Sequence, residues 1–206
     1  MISTGALVVI GIGVVVFAST NIDDIVLLSV FFADAHLKTR AVVIGQFAGI
    51  AVLVAVSAGA ALAAVAVPQG WIALLGVVPL SLGLRRLWLL RRGRVDDADA
   101  AGVQDRARNL EERTHSQMLS VMVVTVANGG DNLGVYIPLF AGDLRLIPIY
   151  ALIFLVMTAL WCAVGYGLVN NPVGGRHLRD YGHLALPFVL IGLGLYIMSD
   201  VVVLLR

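Results

Sequence analysis

The sequence predicts an all-α membrane protein of six transmembrane helices, arranged as two inverted three-helix repeats. Three observations predict it. Of 206 residues, 60% are hydrophobic and 13% charged, and the mean hydropathy is +0.96. Soluble domains run at about 45–50% apolar and about 25% charged. The apolar residues form six runs that can each cross about 30 Å of hydrocarbon, which takes about 20 helical residues. Finally, the motif Asn-x-x-Asp occurs in the first run and again in the fourth, with Asn21 and Asn128, and Asp24 and Asp131, both 107 residues apart. The length suits one compact membrane domain.

The spans are expected near 5–33, 41–66, 71–90, 118–141, 146–169 and 184–205. Span 1 is interrupted by a polar knot, Ser19-Thr20-Asn21-Ile22-Asp23-Asp24, and span 4 by Asn128-Gly129-Gly130-Asp131-Asn132. Span 2 carries Gly45-x-x-x-Gly49, a close helix contact either within one chain or between subunits of a homo-oligomer. Spans 3 and 6 share Leu-Gly-Leu at 82–84 and 193–195, and both knots lead into an apolar run ending in Phe-Ala, at Phe32-Ala33 and Phe140-Ala141. Three spans per half is an odd number, so the second half enters from the opposite side, an arrangement that builds mid-membrane sites from interrupted helices. The organisation is therefore 1–90 as the first repeat, 91–117 as a charged loop and 118–206 as the second repeat.

Basic residues set the orientation. Lys38, Arg40, the eight arginines from Arg85 to Arg113, Arg176 and Arg179 make twelve on one side; Arg145 and Arg206 make two on the other. The positive-inside rule puts the first side in the cytoplasm. The expected location is the cell (inner) membrane, multi-pass, with both termini outside. No Lys or Arg precedes Lys38, so the basic n-region of a cleaved signal peptide is missing and the first apolar stretch should stay in the mature protein. Loop 91–117 holds six arginines and six acids. Balanced charge without an apolar stripe reads as a solvated tether.

The knots carry the chemistry. A lone Asp at mid-membrane costs about 2.5–3.5 kcal/mol on insertion scales. Asp23, Asp24 and Asp131 all fall near that depth, and no Lys, Arg or His does. Either these carboxylates carry protons, or they face water and a bound cation. Helical positions three and four apart share a face, so Asn21 lies with Asp24, Thr20 with Asp23 and Asp24, and Asn128 with Asp131 and Asn132. Gly129 and Gly130 can unwind and release backbone carbonyls. Joined around a pseudo-twofold axis, the knots offer three carboxylates, amide oxygens and carbonyls, an oxygen set for a hard or borderline divalent cation. The expected metal-binding residues are Asn21, Asp23, Asp24, Asn128, Asp131 and Asn132, supported by Thr20, Gly129 and Gly130. Ser19, Thr125 and Gln46 read as hydrogen-bonding glue between helices. Asp200, near the outer end of span 6, either reaches the interface or takes part.

Other chemistry is poorly served. His36, His115, His177 and His183 lie in loops or at span ends and read as solvated surface. Cys162 is the single cysteine, which excludes an internal disulfide or a redox pair and reads as inert packing. No P-loop is present, so ATP hydrolysis is not expected. An intramembrane protease needs a nucleophile–base pair or a deep His motif. A scaffold would leave the buried acids unexplained.

At these residues the chain resembles the cadmium resistance transporter family, a branch of the lysine-exporter superfamily. The resemblance rests on Thr20-Asn21-Ile22-Asp23-Asp24, on Asn128-Gly129-Gly130-Asp131-Asn132 followed by Tyr136-Ile137-Pro138, and on Gly192-Leu193-Gly194. It covers nearly the whole chain. It implies six helices, an inverted repeat and efflux of cadmium or a related divalent ion. The expected function is therefore secondary export of a divalent cation, with proton coupling through carboxylates that bind either species. The alternative is export of a cationic amino acid or another small organic cation, as elsewhere in the superfamily. No enzymatic activity, cofactor or nucleic-acid partner is expected; the partners are the transported ion as substrate and the lipid bilayer.

Overall fold

A computed structural model describes residues 4–64, 77–91 and 116–169, together with 188, 191–195, 197 and 198. The start of span 3, nearly all of loop 91–117, most of span 6, Asp200, His115, His177 and His183 lie outside the described residues. Every described element is a helix: α1 (Thr4–Thr20), α2 (Ile22–Ala33), α3 (Thr39–Ala64), α4 (Val77–Arg91), α5 (Gln117–Asn128), α6 (Gly130–Gly142), a 3₁₀ turn (Leu144–Leu146) and α7 (Ile147–Val169).

Two stretches, Thr39–Ala64 and Leu144–Val169, are each long and apolar enough to cross a membrane. At 26 residues each, they reach about 39 Å at the helical rise. A third candidate is the pair α1 and α2, which meet at Asn21 and bend by 58°. Span 4 of the sequence reading is likewise divided, into α5 and α6 on either side of Gly129. Both interruptions fall at the polar knots. Large apolar side chains such as Leu7, Ile44, Leu62, Leu152 and Leu160 are exposed, as befits helices surrounded by lipid.

The packing is reciprocal. Helix α3 lies against α5 and α6, while α7 lies against α1 and α2. Small residues make this possible. A Cβ on Gly45 would sit 2.7 Å from the Met118 carbonyl oxygen, and one on Gly49 would sit 2.6 Å from Thr125 Cβ. The Gly45-x-x-x-Gly49 stripe is therefore an intrachain contact between α3 and α5. Gly165 of α7 is equally close to Leu28 of α2, where a Cβ would meet Leu28 Cβ at 2.7 Å. Aromatic rings fill the space between α1, α6 and α7: Phe17 stands 5.4 Å from Phe154 and 5.6 Å from Trp161, and Tyr136 stands 4.6 Å from Phe154, between ring centroids. Such tilted and edge-on pairs add to the stability given by burial alone.

Candidate cation site at the broken helices

The break between α1 and α2 is one residue wide. Asn21 has φ −114° and ψ 19°, outside the helical well. Its amide N–H still donates to the Phe17 carbonyl at 3.0 Å. The Trp161 indole N–H, from α7, donates to the Asn21 carbonyl at 2.6 Å. A buried backbone carbonyl at a helix break finds its partners within the protein. The Asn21 side chain is fully buried and makes bonds in three directions. Its Nδ2 donates to Phe17 O at 2.9 Å, to Thr20 Oγ1 at 2.9 Å and to the Tyr136 hydroxyl at 2.8 Å. Its Oδ1 accepts from Asn132 Nδ2 at 3.0 Å. The two knots are thus joined directly, by Asn21 and Asn132.

A second cross-link holds the acid. Asp24, 3% exposed, follows the break in the first turn of α2. One oxygen accepts from Gln46 Nε2 of α3 at 2.9 Å, the other from Asn128 Nδ2 of α5 at 2.9 Å. Asn128 Nδ2 also lies 3.4 Å from the neighbouring Asp23 carboxylate. Gln46 is fixed in turn, since Thr125 Oγ1 donates to its Oε1 at 2.7 Å. Each Asp24 oxygen thus has one neutral amide donor, and carboxylate oxygens have about four acceptor positions between them. Lone pairs therefore remain for a further partner.

The α5–α6 break differs. Gly129 N–H donates to the Thr125 carbonyl at 3.0 Å, and its own carbonyl accepts from Leu133 N–H at 3.2 Å. Backbone bonds are kept across Gly129, but its φ −79° and ψ 21° lie outside the helical well, so the helix is interrupted at this one residue and α6 begins at Gly130. Gly129 also has a packing role, because a Cβ there would run into the Leu53 side chain of α3. Asp131 lies in the first turn of α6, where its Oδ1 accepts from Asn132 N–H at 3.1 Å. Among the described residues no group of three or more His, Cys, Asp and Glu is gathered closely enough to hold one metal ion. The knots therefore meet through amides, with Asp23 and Asp24 on one side and Asp131 on α6, rather than as three clustered carboxylates.

A family model described as cadmium resistance transporter matches residues 17–204. The chain belongs to the cadmium resistance transporter family. Both breaks, at Asn21 and Gly129, and all of α3 and α7 lie within the matched region of this family member. It is accordingly a membrane protein of a transporter family whose transport is linked to cadmium resistance. No curated protein and no solved structure gives a match.

Four residues of this transporter-family site have roles that its sequence did not disclose. Gln46 and Thr125 do bridge helices, as glue would, but the bridge ends on the Asp24 carboxylate. Tyr136 and Trp161 hold Asn21 from α6 and α7. The available signal was a few polar or amphipathic side chains inside each apolar helix. Ser19, by contrast, bonds only within its own helix, to Val16 O at 2.9 Å. Cys162 is buried, as inert packing requires.

Proposed function

We propose that this protein exports a divalent metal cation, cadmium or a related ion, as a secondary transporter, and that the ion passes mid-membrane between the broken helices. The observation that carries this reading is Asp24: a buried carboxylate next to Asp23, placed after a helix break and held by the neutral amides Gln46 and Asn128. A dication beside two carboxylates forms a neutral unit, which removes much of the penalty for holding charge in a low-dielectric medium. Asn21 and Asn128 add amide oxygens beside this pair, and Asn132 and Asp131 continue the oxygen path on the α6 side. Hard oxygen ligands of this kind suit divalent cations. Thr20 supports the first break through Val16 O at 3.0 Å, and Gly129 lets α3 approach the second.

The reading extends to the whole chain as six spans in two inverted repeats. Its support is the repeated motif and the reciprocal packing, in which α3 lies on the broken helix of the second half and α7 on that of the first. The charged loop 91–117 faces the cytoplasm of the cell membrane in this arrangement. Export is driven by protons, because a carboxylate that must lose its proton to bind metal couples the two flows by competition. An entering proton then expels the ion.

Calorimetry tests this proposal. Cadmium titrated into the purified protein in buffers of different ionisation enthalpy should release protons, with affinity rising as pH rises. Binding without proton release between pH 6 and pH 8 would refute the coupling. Absence of binding to any divalent ion would refute the site.

A further inference from the structure

Two buried polar atoms remain when the hydrogen bonds are assigned. Ser57 Oγ and Asn132 Oδ1 have no partner among the described residues. Ser57 is fully buried and Asn132 is 2% exposed. Buried polar groups overwhelmingly have partners, and one without a partner calls for an explanation. A hydroxyl in a helix has an easy one, the carbonyl four residues back. Ser29 takes it, donating to Ile25 O at 2.7 Å, and Thr158 donates to Phe154 O at 2.7 Å. Ser57 does not.

Packing sets the two residues on neighbouring elements. Gly45 faces Val121, Gly49 faces Thr125 and Leu53 faces Gly129, where α5 ends, and α3 also lies against α6, which carries Asn132. Positions 45, 49, 53 and 57 recur every four residues and lie on one face of α3. Asn132 is held in place by the bond from its Nδ2 to Asn21 Oδ1 at 3.0 Å. Asp131 precedes it in the first turn of α6.

We infer that Ser57 Oγ and Asn132 Oδ1 are ligand oxygens of an outer station for the transported divalent cation, beside Asp131 and one helical turn past Asn128. This rests on the reading of the chain as a cation exporter. A turn of helix is about 5.4 Å, so an ion leaving Asp24 and Asn128 meets these oxygens next. With the basic loops inside, that step is outward. The chemistry suits an exit: a hydroxyl and an amide oxygen are hard but neutral donors, which hold a cation less tightly than the paired carboxylates behind them. Conduction needs sites strong enough to accept an ion and weak enough to release it.

The test uses the full-length protein in proteoliposomes, with cadmium as the probe. Ser57→Ala should lower cadmium flux about ten-fold, the low end for losing a partner that supports a metal site. Calorimetric cadmium binding at the Asp24 site should stay as in the wild type, and thermal stability should hold or rise, since an unpaired buried hydroxyl is removed. Ser57→Cys, made together with Cys162→Ala, places a thiol that favours soft ions, and cadmium should protect that thiol from a maleimide. Wild-type flux in Ser57→Ala, or a thiol that cadmium never protects, overturns the outer station while normal loss of binding in Asp24→Asn leaves the exporter reading standing. Unchanged cadmium binding in Asp24→Asn overturns that reading and the station with it.

Discussion

Replacing Gly45 by alanine should weaken the fold and the site together, while the same change at Gly59 should not. Both glycines lie in α3. A Cβ at Gly59 meets nothing within 4 Å, whereas one at Gly45 lies 2.7 Å from the Met118 carbonyl oxygen and 2.7 Å from Val121 Cβ. The carbonyl belongs to the backbone of α5 and cannot turn aside, so α3 and α5 must separate. Alanine gains about 1 kcal/mol over glycine in a helix interior. That gain is common to both variants, and their difference isolates the clash. Overpacking of this kind costs about 1–3 kcal/mol. Gln46 is the next residue, and the 2.7 Å bond that it accepts from Thr125 of α5 depends on the close approach; without it Gln46 is less well held against Asp24, and a hydrogen bond to a charged group is worth about 1.5–3 kcal/mol. Gly45→Ala should therefore unfold more easily than Gly59→Ala by at least about 1 kcal/mol, and by several if Gln46 is displaced. Denaturant unfolding in mixed micelles, followed by circular dichroism, measures the difference, and cadmium titration reads the site. Equal stability and equal affinity in the two variants would refute the packing argument.

Two further outcomes follow from the same geometry. Trp161→Phe keeps an aromatic ring but removes the indole donor to the Asn21 carbonyl, leaving that carbonyl only its bond within α2. It should destabilise the protein by about 0.5–1.5 kcal/mol in the same unfolding assay, and a neutral result would mean that the indole bond adds nothing to the break. With Cys162 replaced, single cysteines introduced at Ala98 and at Gln69 should react with an impermeant maleimide from opposite sides of the membrane; labelling of both from outside in intact cells would contradict the orientation.

The helix breaks were legible because polar residues inside an apolar run are so costly that they mark a site. The link between Asp24 and Asn128 follows the order of the repeat, and the structure makes it, at 2.9 Å. The symmetry-related link, Asn21 to Asp131, is not the one formed by Asn21. Its amide nitrogen is taken up by the Tyr136 hydroxyl and its oxygen by Asn132. Tyr136 has no counterpart in the first motif, so the repeat could not foretell this asymmetry. Glycines were legible as close contacts but not as particular ones: Gly45 and Gly49 announce a tight approach, and only the fold shows that α5 fills it. Gln46 and Trp161 are separated from their partners by 22 and 140 residues. A single polar group in a helix that is apolar all round shows no periodicity, so it does not show which way it faces.

Cadmium flux measured in proteoliposomes, wild type against Asp24→Asn, tests the central claim most directly. Asparagine keeps the size of the side chain and the reach toward Gln46 and Asn128 but removes the charge that a divalent ion needs. The account predicts metal-dependent flux in the wild type, driven by an opposing pH gradient. It predicts a loss of at least about ten-fold in the variant, as when a metal site loses an essential partner. Equal flux in the two proteins, with both correctly folded and inserted, would contradict it.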